Sequence, residues 1–162
     1  MKRLILMLAL ALCCTVASAQ WYLGGGLGLC RSYSGHGIAL DIHPDLAYRF
    51  DNIFTAGAQL SYRTGYPGIG VIPYARATVL RAEQKLSVFI SAGVPCVFDT
   101  DYRSIGFRIQ PGAALRVTKR VYLMAHLGNV GYYSVTSEGV NNKGWSAGFN
   151  REDFHLGFIV AL

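Results

Sequence analysis

The stretch Ile38-Ala39-Leu40-Asp41-Ile42-His43-Pro44-Asp45-Leu46-Ala47-Tyr48-Arg49-Phe50 decides the fold class. Every second residue, Ile38, Leu40, Ile42, Pro44, Leu46, Tyr48 and Phe50, is apolar or aromatic. The residues between them, Ala39, Asp41, His43, Asp45, Ala47 and Arg49, carry all of the charge. Successive side chains of an extended strand point to opposite faces, so this order makes one greasy and one charged face. Helical spacing would mix the two sets on every side. Residues 105–118 repeat the separation, with Ile105, Phe107, Ile109, Pro111, Ala113, Leu115 and Val117 against Gly106, Arg108, Gln110, Gly112, Ala114, Arg116 and Thr118.

Six further segments alternate in the same way. Trp21, Leu23, Leu27 and Leu29 oppose Tyr22, Gly24, Gly26 and Gly28; Phe54, Ala56, Ala58, Leu60 and Tyr62 oppose Thr55, Gly57, Gln59, Ser61 and Arg63. Pro73, Ala75, Ala77 and Val79 oppose Tyr74, Arg76 and Thr78; Leu86, Val88, Ile90, Ala92 and Val94 oppose Ser87, Phe89, Ser91 and Gly93. Val121, Leu123, Ala125 and Leu127 oppose Tyr122, Met124, His126 and Gly128; Phe154, Leu156, Phe158, Val160 and Leu162 oppose His155, Gly157, Ile159 and Ala161. The spacing therefore predicts eight strands. Pro44 and Pro111 each remove a ladder donor, and local bulges are expected at both.

The connections order these strands. Short polar turns stand at 50–53, 81–85 and 118–120, with Asp51, Gln84 and Lys119 spaced 33 and 35 residues apart, so each interval holds one hairpin. Between them fall longer connections at about 31–36, 64–70, 96–104 and 134–150. Short turns on one side, long loops on the other and an even strand count describe an antiparallel up-and-down transmembrane β-barrel. Its apolar face would meet lipid and its polar face would point inward. Closure follows because hydrocarbon holds no water to satisfy an open sheet edge. Trp21, Tyr48, Phe50, Phe54 and Tyr122 gather near one rim, and Tyr33, Tyr62, Tyr66, Tyr102, Tyr132 and Tyr133 toward the other, where aromatic girdles belong. A soluble sandwich of two packed sheets is the rival architecture.

Composition agrees. The 162 residues are 52% hydrophobic and 15% charged, with 19 Gly and 10 Tyr, which excludes a disordered chain and is poor in charge for a cytosolic enzyme. No run beyond residue 19 approaches the roughly 20 apolar residues of a spanning helix. Met1-Lys2-Arg3, the apolar run to Leu12 and the triplet Ala17-Ser18-Ala19 describe a signal peptide over residues 1–19, cleaved after Ala19. A lipoprotein signal at Cys13 or Cys14 fits less well, because Leu12 or Cys13 stands where a small residue is wanted. The expected mature domain is 20–162, and loss of Lys2 and Arg3 lowers the formal charge from +6 to +4. That balance does not point to nucleic acid.

With signal, alternation, hairpin spacing and terminal strand together, residues 20–162 resemble the small eight-stranded outer-membrane barrel family of Gram-negative bacteria. That family takes in the outer membrane protein X and outer membrane protein A barrel domains. Leu162 stands where the family ends on an aromatic residue. The resemblance implies an outer-membrane location, contact with lipid and lipopolysaccharide, insertion by the barrel-assembly machinery and no cofactor.

The inward set Asp41, His43, Asp45, Arg49, Gln59, Arg63, Arg76, Arg108, Gln110, Arg116, His126 and His155 is the candidate site. Two Asp flanking a His suit acid–base or metal chemistry. An eight-stranded barrel is only wide enough for its side chains to fill, however, and buried charges must pair, which favours a structural salt-bridge network. Lipid-modifying barrels offer an enzyme reading. The deacylase pattern of His followed two residues later by Ser meets Gly at His126-Leu127-Gly128 and at His155-Leu156-Gly157, and the palmitoyltransferase pattern lacks its leading helix. Gly24-Gly25-Gly26-Leu27-Gly28 has no following helix to hold phosphate, so its glycines read as space for large side chains opposite.

Cys30 and Cys96 are the cysteines left after processing. Export favours a disulfide between them, whereas alternation places Cys30 inward and Cys96 outward on strands that are not neighbours. Residues 134–150 form the longest expected loop, and Glu138, Asn141, Asn142, Lys143 and Trp145 are its candidate contact surface; a solvated loop is the plain alternative. A structural or surface-interaction role is expected, with a narrow porin-like pore second and a lipid-modifying enzyme third.

Overall fold

The computed structural model describes residues 20–31, 38–64, 68–82, 85–99, 102–137, 140–148 and 155–162, with side chains except at 29–31, 38, 39 and 102. The expected signal peptide, Tyr33, Tyr66, Glu138 and Phe154 lie outside the described residues. Eleven β-strands occur in chain order among the described residues: β1 (Gln20–Arg31), β2 (Ile38–Arg49), β3 (Phe54–Arg63), β4 (Ile69–Ala82), β5 (Leu86–Gly93), β6 (Cys96–Phe98), β7 (Tyr102–Arg116), β8 (Val121–His126), β9 (Asn129–Ser137), β10 (Val140–Gly148) and β11 (His155–Ala161). All ladders are antiparallel.

They make eight staves. β5 and β6 are one stave interrupted at Val94-Pro95, and their pairing with β4 and β7 keeps one register across the break. β8 and β9 are a second, and both pair with β7. β10 and β11 lie along that stave's other side. β1 pairs with β2 and with β11, from Tyr22↔Ala161 to Gly28↔His155, and this seam closes the cylinder. Closure leaves no free edge across the apolar zone.

The turns at one end are built from side-chain acceptors. The Asp51 carboxylate accepts hydrogen bonds from the Ile53 and Phe54 amides, each at 2.6 Å, and Thr118 Oγ1 accepts from Arg120 and Val121 at 3.2 and 3.0 Å. Asx and Ser/Thr turns of this kind reverse the chain in few residues. Trp21 and Tyr48 stack edge to face at 5.0 Å near this rim, as do Tyr48 and Phe50. Tyr122 does not join them: it turns into the lumen, 6.1 Å from Tyr22.

Further expectations are corrected. Residues 96–104 are strand at both ends, and the expected 134–150 loop is largely a hairpin, β9 and β10, joined from Asn129↔Gly148 to Ser137↔Val140. Both faces of such a hairpin can be polar, so period-two hydrophobicity does not reveal it, yet its backbone still pairs. Pro44 sits opposite Gly25 in an unbroken register, without a bulge. At Pro111 the irregularity lies in the neighbouring stave: Ile109↔Val130 gives way to Gly112↔His126, with one extra residue between β8 and β9. Gly128 takes φ +68° there, a conformation other residues rarely adopt. A further bulge, not expected from sequence, lies between Thr78 and Leu80, and it leaves Val79 and Leu80 both exposed.

Burial follows the alternation. Leu23, Leu27, Leu46, Leu60, Phe107, Leu123 and Phe158 are exposed on the outer face, whereas Asp41, Asp45, Arg76 and Gln110 are buried inside. Toward the short-turn end the lumen is filled by Tyr22, Ala47, Tyr74 and Ala161, and by Phe89, Ala114 and Met124, with Ile159 against both groups.

Candidate functional site: the charged lumen

Each inward residue proposed from sequence that has a described side-chain contact or burial lies on the lumen side. β2 places Asp41, His43 and Asp45 one above another. Asp41 has no exposed surface. Its Oδ2 accepts from Arg63 Nη2 at 2.9 Å and Nε at 3.2 Å, across the β2–β3 ladder. His43 Nε2 stands 3.0 Å from Asp41 Oδ1, and His155 Nε2 3.5 Å from Oδ2. His155 reaches this carboxylate from β11 because Gly28, between them on β1, has no side chain; a Cβ there would lie 2.5 Å from His155 Cδ2. Gly28 thus makes room for an imidazole, as the sequence suggested for the inward glycines of β1, and Gly24 does the same for the Ile159 side chain.

Asp45 anchors a second group. Tyr74 Oη donates to it at 2.8 and 3.0 Å, Gln59 Nε2 donates at 3.4 Å, and Arg76 Nη2 lies 3.9 Å away. The Arg76 guanidinium is held between rings, 4.9 Å from the Tyr74 centroid and 4.5 Å from that of Phe89, while its Nε donates to Ser91 Oγ at 3.2 Å. Charge is thereby spread over a carboxylate, a phenol, a hydroxyl and two π-faces. Arg108 donates to Gln59 Oε1 at 3.4 Å, and so links to this group through Gln59. His126 stacks edge to face on Phe89 at 5.2 Å.

Two proposed members stand apart. Arg49 donates to Gln20 Oε1 at 3.2 Å and covers the Tyr22 ring at 5.2 Å; Arg116 Nε donates to the Thr118 carbonyl at 3.2 Å. Both belong to the short-turn mouth, an open vestibule of about 560 Å³ also lined by Arg81, Lys85 and Lys119. Between the two carboxylate groups the packed lumen retains a cavity of about 30 Å³ bordered by His43, Asp45, Gln59, Arg108, His126 and His155.

Sequence reasoning did not single out Tyr74, Ser91, Phe89 and Met124, although all four share the inward parity. Their signal was membership of the same face as Arg76. Cys96 stands as a free thiol, its Sγ 3.6 Å from the Val94 carbonyl, while the Cys30 side chain lies outside the described residues. Asn141, Asn142, Lys143 and Trp145 lie on β10, where Trp145 is 78% exposed and packs on Tyr132 at 5.4 Å.

No family model matches the chain, and no curated protein matches it. Among solved structures it is similar to the crystal structure of Neisserial surface protein A (NspA), at 15% identity and a TM-score of 0.49, over 88% of this chain and 96% of that one.

Proposed function

We propose that the chain is a small integral outer-membrane protein: a closed barrel with a structural plug of paired charges, presenting its long-loop end to surface ligands. The observation that carries this is the inversion of burial. Leucines and phenylalanines cover the outside of a closed sheet while Asp41, Asp45 and Arg76 are withdrawn from solvent. In water so large an apolar surface would drive association, whereas in a bilayer it is the required face. The interior favours a plug over a pore, because the cavities among the described lumen residues behind the vestibule are about 30, 10 and 60 Å³. The β9–β10 hairpin, with exposed Trp145, supports a contact role at the outer end.

Cell fractionation with gel electrophoresis of unboiled and boiled samples tests the reading. The protein is expected in the outer-membrane fraction with a mobility that changes on boiling. Recovery as a soluble periplasmic protein of constant mobility would refute it.

A further inference from the structure

We propose that Asp41, His43 and His155 bind one divalent transition-metal ion, of the zinc class, inside the long-loop half of the lumen. Two staves, β2 with Asp41 and His43 and β11 with His155, lie on either side of β1 and bring one donor atom from each of the three residues within 4.8 Å of one another. Bonds of about 2.0–2.2 Å at tetrahedral angles separate donor atoms by roughly 3.3–3.6 Å. His43 Nε2 and Asp41 Oδ1 stand 3.0 Å apart, a few tenths of an ångström under that range, and His155 Nε2 lies 3.5 Å from the other oxygen, Oδ2, with a donor atom of each residue inside the 4.8 Å span.

The second observation is what His43 lacks. Its side chain is about nine-tenths buried, yet neither Nδ1 nor Nε2 makes a hydrogen bond among the described residues, and Asp41 Oδ1 also goes without one. Nε2 and Oδ1 are therefore at hydrogen-bond distance but not in hydrogen-bond direction. A protonated His43 would supply charge without correcting that direction. An ion between the two atoms satisfies both, since a metal takes lone pairs and needs no shared proton. Leaving such groups bare costs about 1–3 kcal/mol each.

The surroundings select the kind of ion. Two imidazoles and one carboxylate oxygen suit zinc, nickel or copper, and disfavour calcium and magnesium, which want more oxygens. Arg63 holds Oδ2 and so presents Oδ1 as a single oxygen ligand. Its positive charge further disfavours ions bound by electrostatics alone. A fourth ligand has room: the adjoining cavity of about 30 Å³ is bordered by both imidazoles and exceeds the roughly 10–15 Å³ that one water needs.

The test uses the full chain isolated from membranes in detergent, without a polyhistidine tag and after treatment with a chelator. Calorimetric titration with Zn²⁺ is expected to show one ion per chain, and Co²⁺ to develop a visible absorption band that Zn²⁺ bleaches. His43→Gln and His155→Gln, each checked for the folded gel mobility, are expected to weaken Zn²⁺ binding at least tenfold. Absence of saturable binding, or wild-type affinity in either Gln variant, would overturn the site. Should the variants fail to fold, X-ray absorption of the zinc-loaded wild-type chain decides: two imidazoles in the metal shell are expected, and fewer would reject the assignment.

Discussion

Asp45 illustrates how a carboxylate is kept at the centre of a barrel. Its strongest described partner is a phenol, Tyr74, and its cation, Arg76, stands 3.9 Å from the acid with its guanidinium over two aromatic faces. Removing the phenolic hydroxyl strips Asp45 of its two shortest hydrogen bonds without emptying the lumen. Tyr74→Phe is therefore expected to lower stability by about 1–3 kcal/mol, measured by equilibrium urea unfolding in detergent micelles. Asp41→Ala removes the acid that Arg63 answers. The expected loss is roughly 2–4 kcal/mol, below that for a wholly buried pair because 30% of the Arg63 side chain is exposed. Restoring nearly full stability with Asp41→Ala/Arg63→Met would show that the penalty comes from the guanidinium's lost carboxylate. These residues were legible in the sequence as one face, because parity is read one residue at a time. Their partners were not, since Asp45 and Tyr74 come from β2 and β4 and meet only over Gly57 of the intervening β3.

At the scale of elements, the turn after β2 depends on ionisation. The Ile53 and Phe54 amides donate to Asp51 and hold its carboxyl below its ordinary value of 3.8. A depressed folded value contributes stability above the unfolded value and loses it as pH falls through the folded one. Asp51→Asn does not titrate, so the gap in urea midpoint between wild type and variant should be small but present at neutral pH. It should shrink on acidification below about pH 4, a range read from the ordinary carboxyl value. The β9–β10 hairpin makes the opposite case, an element whose removal the barrel should tolerate. Tyr133 and Gly144 face each other in its ladder, so Asn-Gly in place of residues 134–143 would close it with two residues. The shortened chain is expected to keep heat-modifiable mobility, since the β8–β11 and β1–β11 ladders are untouched. Loss of folding would show the hairpin to be part of the barrel's support. The sequence hid this element because Asn141, Asn142, Lys143 and Gly144 offer no alternation, and above the hydrocarbon nothing demands any.

For the molecule as a whole, the eight-stave count was legible because lipid outside and charge inside impose the same parity on nearly every strand. Breaks in that parity were not. The bulge at Thr78–Leu80 and the extra residue near Gly128 are shifts of register between neighbouring staves, which no single segment encodes. A lumen filled from Arg63 and His155 at one end to Tyr22 and Phe89 at the other should not conduct. Purified protein in a planar bilayer is expected to show no stable single-channel steps, and regular open levels would contradict a filled interior.

The reach of His155 over Gly28 to Asp41 spans the joint where the last stave meets the first. Until that joint forms, Asp41 has Arg63 beside it but lacks one of its two imidazoles. The chain's end must therefore arrive before its beginning is electrostatically complete. A partly rolled sheet carries an acid still short of a neighbour, and the finished cylinder does not. Zipping the final pair of strands is in this way rewarded from within, by a contact that recognises whether the circle has been drawn.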